Sequence, residues 1–133
     1  MQIDLRKNAE DDIRKLRATN KPAAAAVMIA LEQIEADPKA IDKLTTHGDD
    51  PEVGKDDPVR LGIKRWETAK RHSILLWRFR IFDTPATVYR VVYGYHWQTK
   101  QIYILAVVHK EEFDYDNLNS DISKRILDDW RAI

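Results

Sequence analysis

Apolar and polar positions alternate along three runs between Leu75 and Val108, LLWRFRIF, TVYRVVYGY and QIYILAVV, and a period of two predicts β-strands. In the first run Leu75, Trp77, Phe79 and Ile81 form one set and Leu76, Arg78, Arg80 and Phe82 the other. The first set is expected to face helices. The second carries two guanidiniums about 7 Å apart at the rise of a strand. In the second run Tyr89, Val91 and Tyr93 alternate with Val88, Arg90 and Val92. The third run, Gln101 to Val108, is apolar on both faces, which predicts a central strand. Asp83-Thr84-Pro85-Ala86 reads as a turn and His96 to Lys100 as a hairpin connection. The expectation is a sheet with one buried face and one open face, its arginines gathered on the open side where an anion can reach them.

Upstream, Gln2 to Arg6 reads as a short strand with Ile3 and Leu5 on one face. Asn8 reads as a helix N-cap, followed by Glu10, Asp11 and Asp12 in the first turn, where the helix dipole favours acids. Ile13 and Leu16 give this helix an apolar stripe, and Asn20, tolerant of the left-handed conformation, ends it. Pro22 opens a second helix. Ala23, Ala26, Val27, Ala30, Leu31 and Ile34 recur along it at helical spacing, and Asp37-Pro38 stops it. The two helices predict a hairpin. KAIDKL predicts a helical turn or more, and THGDDPEVGKDDP reads as loop. IKRWETAKRH stays open between a strand with a turn and a short helix. A last helix, starting at Asp116, Asn117 or Ser120, takes Ile122, Ile126, Leu127 and Trp130 as its apolar face. The predicted order is β-α-α-β-β-β-α: an α+β fold with an antiparallel sheet of about four strands, backed on one side by helices.

Charge sharpens this picture. The 133 residues have a formal net charge of zero. Residues 1–54 hold 8 Lys/Arg against 11 Asp/Glu, residues 55–110 hold 11 against 4, and residues 111–133 hold 3 against 7. A neutral total therefore hides a basic middle, the kind of patch that attracts nucleic acid. The length suits one domain, 1–133, with a loop-rich insertion around residues 46–74. The absence of cysteine excludes disulfides, thiolate nucleophiles and thiolate metal sites, and fits a cytoplasmic location. No apolar run approaches the ~20 residues of a membrane span, and MQIDLRKNAEDD is too charged for a signal peptide. His47, His72 and His96 fall in loops or turns, and no spacing among the histidines and nearby acids reads as a metal site, so neither metal nor cofactor is expected.

The element order and several strings together resemble the RelE/ParE superfamily of bacterial toxins from type II toxin–antitoxin pairs. IDLRKNAEDDIRKL is similar to the family's opening strand and first helix, WRFR to its strand with two alternating cations, and VYRVVY to its most recognisable string. IYILAVVHKEEFDY is similar to the next strand with its basic exit and downstream tyrosine, and RIL at Arg125 to Leu127 falls where the closing helix does. The resemblance covers most of the chain outside roughly residues 46–74. Val108 stands where members often have glycine.

The RelE-like resemblance implies a metal-independent endoribonuclease that cleaves mRNA, on the ribosome or free, by attack of a ribose 2′-hydroxyl on the adjacent phosphate. Carried over residue by residue, Arg78 and Arg80 bind phosphate, and Arg90, His109, Lys110 and Tyr115 form the catalytic set. Guanidinium is permanently charged and forks onto phosphate oxygens, which suits holding rather than proton transfer. Histidine exchanges its proton near neutral pH, which makes His109 the candidate general acid or base. Tyr115 either stacks on a base or shares the proton transfer. The resemblance also implies a partner, a small acidic antitoxin that covers the cationic face in a toxin–antitoxin hetero-oligomer. Two other readings stay open: a ParE-like inhibitor of DNA gyrase, and a binding module of this fold that cuts nothing.

Overall fold

The computed structural model describes residues 3–46 and 61–133. Along the chain run β1 (Ile3–Leu5), α1 (Lys7–Thr19), α2 (Lys21–Ala36), α3 (Pro38–Thr46), β2 (Leu61–Arg65), α4 (Glu67–Arg71), β3 (Trp77–Ile81), β4 (Tyr89–His96), β5 (Gln101–His109) and α5 (Asp121–Arg131). The class is α+β. Among the described residues the sheet has five strands rather than about four, in the order β1-β5-β4-β3-β2. It is mixed rather than antiparallel, because β1 pairs parallel to β5 while the other neighbours pair antiparallel. The extra strand, β2, comes from the segment left open between strand and helix. That segment is both: β2, then the single turn of α4. The loop predicted over residues 46–58 lies almost wholly outside the described residues.

Local chemistry accounts for several helix ends. Asn20 serves two helices at once. Its N–H donates to Leu16 O, and its side chain accepts from Ala23 N–H at 3.2 Å to cap α2. It does so from an extended backbone (φ −152°), not the left-handed one expected. Asn8 is no cap: α1 already starts at Lys7, and the Asn8 amide instead donates to Asp129 of α5 at 2.7 Å. Ser120 caps α5 by accepting from Ser123 N–H. No helix among the described residues is long and apolar enough to cross a membrane.

Two cores flank the sheet. On one face Ile13, Leu16, Val27, Leu31, Ile34 and Leu44 of the helices pack on Ile63, Phe79, Val91, Tyr93, Ile104 and Val107. Phe79 and Ile81 point there as their alternation requires. Leu75 does not. It precedes β3, is 51% exposed, and leaves Leu76 as the buried residue. Tyr93 is fully buried, and its hydroxyl donates to Leu44 O at 2.9 Å, which fixes the end of α3. Tyr93→Phe leaves that buried carbonyl without this donor, and urea unfolding should show a loss of about 1–2 kcal/mol.

The other face is not open, as the alternating pattern suggested. Trp66, Leu76, Val92, Leu105, Ala106, Val108, Phe113, Ile126 and Leu127 form a second core there, roofed by α5 and the segment before it. Only α5 was foreseen, and it lies across this face rather than joining the helical hairpin. Asp12 of α1 ties the two layers together around the β5 edge. It takes two bonds from Arg125, at 3.0 and 2.7 Å, and accepts from Val107 N–H at 2.9 Å beyond the short reach of β1.

A β-bulge sets which residues of β4 and β5 share a face. Tyr93 opposes Ile104, but Val92 opposes Ala106, so Leu105 is an extra residue on β5. Leu105 and Ala106 therefore both enter the second core. Every pairing beyond the bulge shifts by one residue, and with it the side of the sheet on which each β5 side chain emerges.

Candidate functional site

Four of the six residues singled out in the sequence meet on the second face, beside the second core. Arg78 and Arg80 of β3 project there, opposite in sense to Phe79. Arg90 of β4 joins them and is 9% exposed. Its Nη1 donates to Thr87 O and Tyr89 O at 2.9 and 3.1 Å, which pins the guanidinium at the start of the strand. The Arg78 guanidinium lies 4.9 Å above the Tyr115 ring, and that of Arg80 lies 4.1 Å above the Phe82 ring.

Among the described residues no carboxylate forms an ion pair with this group. Among the described residues the ion pairs involve other cations, and Arg90 reaches carbonyls rather than Asp83 or Glu111. Desolvation pushes the Arg90 pKa down, and the nearby Arg78 and Arg80 charges add to it. Arginine nevertheless keeps its proton in proteins. The result is a buried cation held beside two others, an arrangement unfavourable by itself and relieved by an anion.

Tyr115 faces the same cations. Its hydroxyl is buried and has no hydrogen-bond partner among the described residues. Burial raises its pKa to about 12, although Arg78 and Arg90 pull the other way. A phenol shifted in this direction keeps its proton and is available as a donor. Stability linked to this group follows the same sign. It is fully present below the ordinary phenol value of 10.0 and is lost as pH rises towards about 12, because the unfolded chain releases the proton first. Wild type should lose stability over that window more steeply than Tyr115→Phe, as read by urea unfolding at stepped pH.

His109 does not join the cluster. The bulge places it opposite Tyr89, on the face covered by α1. Its ring meets Tyr89 edge to face at 5.2 Å, in a small cleft with Asp12, Lys15, Thr19 and Glu112. Its Nδ1 accepts from Glu111 N–H at 3.1 Å, which leaves Nε2 to carry the proton in the neutral ring. The expectation of one face bearing the arginines and His109 together is thus corrected. Lys110 comes next in register, its N–H donating to Val88 O at 2.9 Å, and is exposed at the margin of the arginine face.

Two contributors escaped the sequence reading because both lie in the segment outside the family strings. Lys64 of β2 stands opposite Arg78 in register and is exposed on the same side of the sheet. Trp66 is 1% exposed, and its Nε1–H donates to Tyr115 O at 2.7 Å. Its indole meets the rings of Phe113 and Tyr115 edge to face, at 5.1 and 6.1 Å. Thr68 Oγ1 adds a bond to Asp116 at 3.0 Å. This segment therefore buttresses the loop that presents Tyr115. Trp66 had a sequence signal, a lone tryptophan in a charged stretch, but no periodicity to say which way it points.

Fold and site thus define an α+β protein with, among the described residues, a mixed five-stranded sheet and a cluster of arginines on one face that forms no ion pair. Set against family models, curated proteins and solved structures, the chain matches none of them.

Proposed function

We propose that this chain is a RelE-like toxin that binds RNA at the arginine face and cleaves it without a metal. The observation that carries the reading is the meeting of Arg78 and Arg90 at Tyr115, whose buried hydroxyl has no partner among the described residues, with Arg80 close to Arg90 and no ion pair to these arginines among the described residues. Such a site matches a phosphate whose charge grows during reaction. Fixed cations aimed at developing charge are usually the largest catalytic contribution.

In this scheme Arg90 and Arg78 hold the non-bridging oxygens of the scissile phosphate. The ribose 2′-oxygen attacks phosphorus and its proton leaves to water, with Lys110 as a further cation at the margin of the site. The bond from phosphorus to the 5′-oxygen breaks, and Tyr115 donates the proton that the leaving oxygen takes up. The products are a 2′,3′-cyclic phosphate and a 5′-hydroxyl. The raised phenol pKa supports the donor role for Tyr115 over the role of base. The partner in this reading is an antitoxin that neutralises the cationic face, and the RNA is messenger, free or on the ribosome.

One observation favours a second reading. His109 lies on the far side of the sheet, away from the arginines beside which it was expected to relay protons. A protein of this kind would grip a phosphate or a partner surface without cutting, as a ParE-like gyrase inhibitor or a binding module. Primer extension on message in a translating extract separates the two. New 5′-hydroxyl ends on addition of the protein support cleavage. Intact message together with trapped gyrase–DNA complexes transfers the function to the second reading.

A further inference from the structure

The arginine face continues beyond the cluster of Arg78, Arg90 and Tyr115. Phe82 folds back over β2, so close to Gly62 that a Cβ there would stand 2.8 Å from the ring. The Arg80 guanidinium covers the same ring at 4.1 Å. Gly62 and Arg80 are partners in the β2–β3 register, so glycine, ring and guanidinium form one stack built across two strands. Beside it, Lys64 opposes Arg78 about 5 Å away across the sheet. None of this is needed to hold a single phosphate.

A planar cation backed by an aromatic ring has one face occupied and one face left for another flat group. Arginine stacks on nucleobases in this way. A base accessible to such a shelf belongs to a single strand, since duplex bases are stacked inside. A neighbouring lysine suits the next phosphate along that strand. We infer that Gly62, Phe82, Arg80 and Lys64 form a second subsite, which stacks a base of single-stranded RNA adjacent to the phosphate held by Arg78 and Arg90 and contacts its neighbouring phosphate through Lys64. The inference rests on the RNA reading above and adds the direction of the strand, from the Arg78–Arg90 cluster across β3 towards β2.

The test uses the full chain, a 2′-O-methyl RNA 12-mer that cannot be cleaved, and inorganic phosphate as separate ligands. Phe82→Leu and Gly62→Ala should each weaken 12-mer binding by about 5–20-fold, by losing or tilting the shelf, while Phe82→Tyr binds as wild type. The rise in melting temperature with inorganic phosphate should be the same in all of them. Lys64→Ala should flatten the slope of log affinity against log salt by ~0.7, the value for one contact to a single strand. Wild-type 12-mer affinity and slope in Phe82→Leu, Gly62→Ala and Lys64→Ala would overturn the subsite and leave the phosphate site of Arg78 and Arg90 standing. A wild-type protein that binds neither 12-mer nor phosphate overturns both.

Discussion

Arg90→Ala is expected to lower RNA cleavage by about 10²–10³-fold, the usual effect of removing one preorganised donor from a site of developing negative charge. The same change removes the bonds from Nη1 to Thr87 O and Tyr89 O, so a control must separate function from folding. Arg90→Lys supplies it. Lysine keeps a cation at the site but lacks the planar fork, so partial activity should survive at near wild-type stability. A second readout concerns the crowding of cations. Burial and two neighbouring guanidiniums work against the Arg90 charge, so a bound anion should stabilise the fold. Phosphate should raise the melting temperature of wild type more than that of Arg90→Ala. Equal cleavage by both proteins, judged by primer extension, would exclude Arg90 from catalysis.

Trp66→Ala should be the most damaging change to stability, at about 3–5 kcal/mol by urea unfolding, because it empties the centre of the second core. Trp66→Phe is the more informative variant. It keeps an aromatic ring near Phe113 and Tyr115 but removes the N–H that binds Tyr115 O at 2.7 Å. A loss of about 1–2 kcal/mol is expected from the unpaired carbonyl. Cleavage should fall further than this loss of stability explains, with the turnover rate affected more than substrate affinity, because the phenol of Tyr115 is displaced from the phosphate. Unchanged turnover in a stable Trp66→Phe protein would show that the loop holds Tyr115 in place without the indole.

Most of the fold was legible because most of it rests on short-range regularities. Helical spacing placed the buried side of α2, and Asn20, Pro22 and Pro38 marked where helices change. Strand alternation sent Phe79 and Ile81 to the helical core and Arg78 and Arg80 away from it. What escaped has a common character. β2 and α4 are five residues each, too short for a period to declare itself, and they pack against residues outside their own segment, among them Phe79 and Phe113. The second core was hidden because it is assembled from α4, β4, β5 and α5 together with Trp66, Leu76 and Phe113 of the connecting segments.

By itself the sequence determined the α+β class, the sides on which Arg78, Arg80 and Arg90 emerge from their own strands, and the concentration of positive charge in residues 55–110. Each of these depends on the pleat of one strand or on composition, and both are local. The tertiary structure alone decided which of those side chains share a site. Counting by twos back from the β4–β5 hairpin would set His109 opposite Val88, on the arginine face. The extra residue at Leu105 shifts the register by one, sets His109 opposite Tyr89, and leaves Tyr115 as the proton-bearing side chain beside the arginines. Whether two strands pair with or without a bulge is settled by packing on both faces of the sheet, here the two apolar cores, and no count along a single strand contains that information.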